Sequence, residues 1–130
     1  MSSQILMLID DNKIDLFIHN EVIKRIPYEK TILQYVFAGD AITYLTENDI
    51  SKWPDVILLD IHMPIMNGFD FLIEYAKLPK ELRDKCRVIM VSSSLDTEDL
   101  KKAKLNSEVF DYLEKPLNME KLYKILNPVK

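Results

Sequence analysis

Short continuous apolar runs alternate along the chain with longer segments in which apolar residues recur every three or four positions. Such runs are typical of strands that a sheet buries on both faces. They occupy residues 5–9, 32–37, 56–59, 88–91 and 109–113. The alternation predicts a (βα)5 series, in which a parallel sheet of five strands carries helices on both of its faces.

The segment after the first run is amphipathic. Its apolar residues recur at helical steps until Pro27, which ends the pattern. The predicted inner face of this helix consists of Ile14, Phe17, Ile18, Val22 and Ile26. His19, in the same segment, is predicted to lie on the helix surface.

Three further helices have candidate caps. Asp40 is expected to cap the second helix, Asn67 the third and Asn118 the last, because Asp and Asn side chains accept hydrogen bonds from first-turn amides. The third helix presents Phe69, Leu72, Ile73 and Ala76 at helical spacing. The fourth helix, residues 97–105, carries mostly charged side chains, so we expect it to be weakly docked.

Composition supports one folded domain. The chain has 130 residues, of which 48% are hydrophobic and 29% charged, and this excludes disorder for most of its length. No linker-like or low-complexity tract interrupts the series. We therefore expect a single domain over residues 1–130, without an output domain.

Charge and cysteine content restrict the partners and the compartment. A net charge of −4 disfavours electrostatic binding to nucleic acid or to anionic lipid. The apolar runs are far shorter than the roughly 18 residues that a membrane span needs, and the amino terminus lacks a signal pattern. Cys86, the one cysteine, cannot form an internal disulfide, so a cytoplasmic location is expected.

Polar residues follow the predicted strands directly. They are Asp10, Asp11, Asp60, Ser92 and Lys115. Right-handed crossovers bring the carboxyl ends of all the strands to one edge of a parallel sheet, where open α/β folds bind ligands. Each residue taken singly could be a helix cap or a solvated charge, but together they predict a site.

The predicted cluster favours a divalent cation. Neighbouring carboxylates repel one another, and oxygen ligands without Cys or His favour Mg²⁺ over zinc. An aspartate such as Asp60 can accept a phosphoryl group as an acyl phosphate when cations screen the incoming oxygens.

Four motifs in order resemble the response-regulator receiver domain, the CheY-like phospho-acceptor module of two-component signalling. The motifs are ILMLIDD at 5–11, LLDIHMPIMNG at 58–68, VIMVSS at 88–93 and YLEKP at 112–116. The resemblance covers nearly the whole chain. It implies a doubly wound, flavodoxin-like three-layer sandwich with the strand order 2-1-3-4-5.

The resemblance also implies a role for each site residue. Asp60 would accept phosphate from a phosphohistidine, with Mg²⁺ held by Asp10, Asp11, Asp60 and the backbone carbonyl of His62. Lys115, before a cis proline bond, would contact a phosphate oxygen. Ser92 would move to hydrogen-bond another oxygen as the ring of Tyr112 rotates. The side chains of His62 and Ser94 would flank the path of hydrolytic water.

Partners follow from the same resemblance. The donor would be a sensor histidine kinase or a histidine phosphotransfer protein. A downstream protein would recognise the surface of the fourth helix, fifth strand and fifth helix, which we expect phosphorylation to remodel, and phosphorylation could drive homodimer formation.

Two alternative functions remain open. One is a Mg²⁺-dependent phosphohydrolase with an aspartate nucleophile, although such enzymes usually carry a second aspartate where this chain has His62. The other is a scaffold with the receiver fold that is never phosphorylated. We expect a self-phosphorylating signalling domain rather than an enzyme that acts on a separate substrate.

Overall fold

A computed structural model describes residues 4–93 and 96–126. Its five strands form one parallel sheet in the order β2-β1-β3-β4-β5. The strands are β1 (Gln4–Ile9), β2 (Lys30–Tyr35), β3 (Val56–Asp60), β4 (Arg87–Ser92) and β5 (Val109–Glu114). The predicted fold class and strand order are confirmed, and β2 begins and ends two residues earlier than the sequence indicated.

Six helices connect and cover the strands. They are α1 (Lys13–Lys24), α2 (Ala38–Glu47), α3 (Gly68–Tyr75), α4 (Lys80–Lys85), α5 (Thr97–Leu105) and α6 (Met119–Leu126). Helix α4 was not predicted, because this six-residue helix has no buried side chain and therefore no apolar stripe. The predicted fourth and fifth helices are thus α5 and α6. None of the helices in the described ranges is long and apolar enough to span a bilayer.

Two hydrophobic cores lie on opposite faces of the sheet. Alternate side chains of a strand point to opposite faces, so β1 contributes Met7 and Ile9 to one core and Leu6 and Leu8 to the other. The first core packs against α2, α3 and α5, and the second packs against α1 and α6. Every residue of the central strand β3 is buried. This arrangement is the predicted three-layer sandwich.

The buried face of α1 differs from the predicted one. Leu16, His19 and Ile23 face the sheet, whereas Ile14 is 70% exposed and Phe17 and Ile18 are also exposed. Both sets recur at helical spacing, so apolar periodicity alone chose the wrong stripe. Two of the predicted inner residues, Val22 and Ile26, do pack against the second core.

Predicted helix caps are confirmed at two helices and wrong at one. Asn67 caps α3 in a reciprocal capping box with Asp70, and Asn118 accepts a hydrogen bond from the Lys121 amide at the start of α6. Phe37, not Asp40, is the N-cap of α2, without a side-chain hydrogen bond. Asp40 lies instead in the first turn, where its negative charge interacts favourably with the helix dipole.

Candidate functional site

Three aspartates lie together at the carboxyl edge of the sheet. Asp10 follows β1 and Asp60 ends β3, and both are buried, while Asp11 is exposed. One carboxylate oxygen from each lies within 4.8 Å of the others. The structure therefore brings together the three acidic residues that the sequence predicted.

Local hydrogen bonds fix the position of Asp10. Its backbone amide donates to the Tyr35 carbonyl of β2, and its Oδ1 accepts from the Asn12 amide at 2.9 Å. Asn12 in turn caps α1 by accepting from the Ile14 and Asp15 amides. The segment that begins α1 thus holds the Oδ1 oxygen of Asp10, and the Oδ2 oxygen remains available to Lys115.

Lys115 is the cation of the site. Its Nζ donates to Asp10 Oδ2 and Asp15 Oδ2, both at 2.8 Å, and lies 3.5 Å from Asp60 Oδ1. The Lys115 amide donates to the Ser92 carbonyl, which joins the ends of β4 and β5. The Lys115–Pro116 bond is cis, as the resemblance implied.

Asp15 is a site residue that the sequence analysis missed. Its place in the first turn of α1, a few residues after Asp10, was the available signal, but first-turn acidic residues are common for helix-dipole reasons. The structure shows instead that Asp15 shares the Lys115 ammonium.

Negative charge exceeds positive charge at this edge. Burial, followed by the charge of Asp10, raises the pKa of Asp60 to about 7, although Lys115 acts in the opposite direction. Burial acts to lower the pKa of Lys115, but its hydrogen bonds to Asp10 and Asp15 outweigh this and raise it. One ammonium therefore does not fully offset the surrounding carboxylates.

His19 lies behind the site and contradicts its prediction as a helix-surface residue. It is only 4% exposed, and burial lowers its pKa, while the charge of Asp10 acts to raise it. Its spacing from Leu16 and Ile23 matches the sheet-facing stripe of α1. The spacing of Leu16, His19 and Ile23 can be read from the sequence. The prediction considered apolar residues alone, so His19 was not assigned to the buried face.

The two predicted switch residues occupy neighbouring strands. Ser92 ends β4 and is fully buried, and Tyr112 lies partly buried in β5 against the first core. Their predicted movements remain predictions, as does the metal-binding role of the His62 carbonyl. Ser94 lies outside the described residues.

The segment that joins Asp60 to α3, residues 61–67, is called the acceptor loop below. The Gly68 amide donates to the Ile61 carbonyl at 2.8 Å, and a Cβ on Gly68 would lie 2.8 Å from the Asp60 carbonyl oxygen. Glycine is therefore needed at this position because the backbone of Asp60 passes so close to it. Its φ is not positive, so backbone conformation is not the reason. Ile65 has a φ of 70°, and the Met66 amide donates to the Pro64 carbonyl across it.

The geometry agrees with the result of comparing the chain with known families. The family model for the response regulator receiver domain matches residues 6–127. This chain belongs to the response regulator receiver domain family. The predicted recognition is thereby confirmed over nearly all of the sequence.

Curated relatives include both long and short receiver proteins. The two-component response regulator ARR14 of Arabidopsis thaliana is 34% identical over 92% of the chain, which spans only 29% of that relative. The two-component response regulator ORR12 of Oryza sativa subsp. japonica is 30% identical, with 98% of each chain covered. The chain thus spans less than a third of the first relative but nearly all of the second.

Solved receiver structures have the same fold. A response regulator receiver protein from Dyadobacter fermentans superposes with a TM-score of 0.86 at 32% identity and 94% coverage of both chains. A two-component response regulator from Cytophaga hutchinsonii gives a TM-score of 0.88 at 30% identity, covering 97% of this chain and 96% of that one.

The donor set of this receiver fits a hard divalent cation. Asp10, Asp11 and Asp60 offer carboxylate oxygens alone, the ligand type that Mg²⁺ prefers. Burial first, and then the charge of Asp10, raises the pKa of Asp60, and a second cation beside Lys115 would favour the ionised carboxylate.

Proposed function

We propose that Asp60 accepts a phosphoryl group from a phosphohistidine of a sensor histidine kinase or a histidine phosphotransfer protein. The observation that carries the proposal is the position of the Asp60 carboxylate, within 4.8 Å of oxygens of Asp10 and Asp11 and 3.5 Å from Lys115 Nζ. The Lys115 ammonium, together with a divalent cation held by the three carboxylates, would offset the negative oxygens that a phosphoryl group brings in.

The transfer exchanges one bond to phosphorus for another. An Asp60 carboxylate oxygen bonds to phosphorus while the phosphorus–nitrogen bond of the phosphohistidine breaks. The electron pair of that bond passes to the imidazole nitrogen, which then takes a proton from solvent. Lys115 stabilises the added charge, because its Nζ already lies beside Asp60 and can replace contacts to Asp10 and Asp15.

Asp60 must be ionised to act as the nucleophile. With its pKa raised to about 7, a substantial fraction of the carboxyl groups holds a proton at neutral pH when no divalent cation is present. Mg²⁺ bound by Asp10, Asp11, Asp60 and the His62 carbonyl would supply positive charge that screens the phosphoryl oxygens. We therefore expect transfer to require Mg²⁺.

The response to phosphorylation involves the neighbouring strand ends. Phosphorylation adds about 1.5 to 2 negative charges and three acceptor oxygens, which a hydroxyl and an ammonium can satisfy by moving. We assign this role to Ser92, which ends β4 and whose carbonyl accepts a hydrogen bond from the Lys115 amide.

The partner surface in this proposal consists of α5, β5 and α6. We assign a downstream protein, and a possible phosphorylation-dependent homodimer, to this surface. We propose a cytoplasmic location, because a single cysteine that cannot form an internal disulfide suits a reducing compartment.

The acceptor role is favoured over phosphohydrolysis by the surroundings of His62. A phosphohydrolase would need an acid or base two residues after Asp60, and His62 occupies that place. Its Nε2 lies 2.9 Å from Asp99 Oδ2 on α5, so the imidazole is engaged with the helix. We propose that the chain modifies itself and does not turn over a separate substrate.

Direct phosphorylation tests the proposal. The protein is incubated with acetyl phosphate and Mg²⁺, and intact-mass and peptide mass spectrometry locate the modification. One phosphoryl group on Asp60 is expected, with none in Asp60→Asn and a normal yield in Asp84→Asn, a control at an exposed carboxylate of α4. Equal labelling of Asp60→Asn would refute the assignment, and no labelling of the wild type would favour the scaffold.

A further inference from the structure

Polar contacts hold α5 beside the acceptor loop. The only α5 residues buried in the described structure are Asp99 and Ala103, and Leu105 is 87% exposed. His62 Nε2 of the acceptor loop lies 2.9 Å from Asp99 Oδ2. One turn further along α5, Lys102 Nζ lies 5.5 Å from the centre of the Phe69 ring at the start of α3. Both contacts join α5 to the segment that follows Asp60.

The Asp99 carboxylate is not needed to form the helix. Asp96 already caps α5, because its Oδ1 accepts the Asp99 amide at 2.8 Å. Asp99 Oδ2 is buried, and the polar atom recorded beside it in the described structure is His62 Nε2, 2.9 Å away. Removing His62 would leave this oxygen buried without a polar neighbour, at a cost of about 1–3 kcal/mol, so the position of the Asp99 carboxylate depends on His62.

We propose that Asp99 is a positioning residue that ties α5 to the acceptor loop through His62, and that a change at Asp60 reaches the α5 surface through this His62–Asp99 pair. The second half rests on the proposed function. The pair joins a loop side chain to a helix side chain across 2.9 Å, so a shift of the loop or the helix would change this distance.

The acceptor loop is placed to transmit such a shift. Ile61, between Asp60 and His62, donates its amide to the Val91 carbonyl of β4 and accepts from the Gly68 amide of α3. The beginning of the loop is therefore attached to β4 and α3. The His62 side chain is the part that contacts α5, so displacement at Asp60 changes the pair directly.

Amide hydrogen exchange of the unphosphorylated protein tests the tie. Asp99→Ala and His62→Ala should each raise exchange across α5 by about tenfold while α3 is unchanged, because few apolar contacts remain to hold α5. The double variant should exceed neither single variant, because both remove the same contact. Glu98→Ala is the matched control, since it removes an exposed acidic residue from the same helical turn.

A conservative variant distinguishes the effect of losing the His62–Asp99 contact from the effect of losing side-chain packing. His62→Gln keeps a side-chain N–H donor at a similar reach and should bring α5 exchange back to within about threefold of the wild type. The tie is wrong if Asp99→Ala changes α5 exchange no more than Glu98→Ala does, or if the two single effects add in the double variant.

A second measurement tests the coupling to Asp60. Beryllofluoride with Mg²⁺ should change the amide chemical shifts of α5 in the wild type, and Asp99→Ala should at least halve that change at equal occupancy of Asp60. An undiminished α5 response at equal occupancy would refute the coupling. Failure of beryllofluoride to bind the wild type would count against the proposed function, and the exchange experiment would still decide whether the tie exists.

Discussion

Two helices of similar length, α3 and α5, pack on the same side of the sheet, and they are held in different ways. The eight-residue α3 buries Phe71, Leu72 and Tyr75, and the Phe71 ring stacks on Tyr75 with ring centres 5.8 Å apart. The nine-residue α5 buries one apolar side chain, Ala103, beside the carboxylate Asp99. Apolar packing therefore fixes α3, while polar contacts decide where α5 lies.

This difference predicts that α3 is more rigid than α5. A segment with few buried apolar contacts opens at a lower free energy than a well-packed one. We therefore expect α5 to be displaced at a lower cost than α3. If the proposed function holds, phosphorylation of Asp60 should displace α5 more than α3.

The largest expected effect is a truncation in α3. Phe71→Ala should lower the free energy of unfolding by about 3–5 kcal/mol, because it removes a fully buried ring and leaves a cavity. Leu100→Ala, at a partly buried leucine of α5, should cost about 1 kcal/mol or less. Urea denaturation measures both, and similar losses would show that α5 is as well packed as α3.

The start of α3 offers the next largest effect. Gly68→Ala should destabilise the protein by about 1–3 kcal/mol, because the added Cβ meets the Asp60 carbonyl at 2.8 Å and backbone atoms must shift. Gly39→Ala is the control, since its Cβ meets only the exposed Phe37 ring at 2.9 Å. That change should be neutral or stabilise by up to about 1 kcal/mol through helix propensity. A tolerated Gly68→Ala would mean that α3 is not tightly attached to Asp60.

Sequence patterns predicted the strands of this receiver and the polar residues that follow them. Five apolar runs gave the five strands, and the polar residues after them gave Asp10, Asp11, Asp60, Ser92 and Lys115 at one edge. These predictions succeed because parallel topology forces strand ends together, whatever the details of packing. The charged composition of 97–105 likewise predicted the light burial of α5.

The errors fall where two patterns compete or where a contact is long-range. Both faces of α1 have helical spacing, and the buried one contains His19, which an apolar count ignores. In α3, Ile73 was expected inside but is 60% exposed, while Phe71 and Tyr75 are buried. The contact of Asp15 with Lys115 joins residues 100 positions apart, and no local pattern encodes it.

The acidic site at the carboxyl edge of the sheet gives a smaller effect with a definite pH dependence. Asp60→Asn should raise the free energy of unfolding of the metal-free protein by about 1–2 kcal/mol at pH 8, because it removes a buried charge that Asp10 repels. The pKa of Asp60 is about 7 in the folded state against 3.8 as its ordinary value. The penalty is therefore absent below about pH 4, grows as pH rises and is complete above pH 7.

Comparison at several pH values and Mg²⁺ concentrations checks this prediction. The advantage of Asp60→Asn should shrink from pH 8 toward pH 5, and the exposed Asp11→Asn should give a smaller gain. Mg²⁺ should stabilise the wild type by about 1.4 kcal/mol at ten times its Kd, and Asp60→Asn by less. A destabilised metal-free Asp60→Asn would contradict the repulsion, and unfolding insensitive to millimolar Mg²⁺ would exclude a metal site.

The smallest effect concerns the backbone that leads into α3. Ile65 is 88% exposed and has a φ of 70°, a conformation that a β-branched side chain disfavours and glycine adopts readily. Ile65→Gly should therefore stabilise the protein by up to about 1 kcal/mol, unlike most isoleucine-to-glycine changes. Ile73→Gly is the matched control, because Ile73 is also exposed but lies within α3, where glycine should cost about 0.5–1 kcal/mol. Opposite signs in urea denaturation would place the strain in the acceptor loop rather than in the helix, whereas a loss at both positions would show that the loop favours isoleucine for a reason other than its backbone.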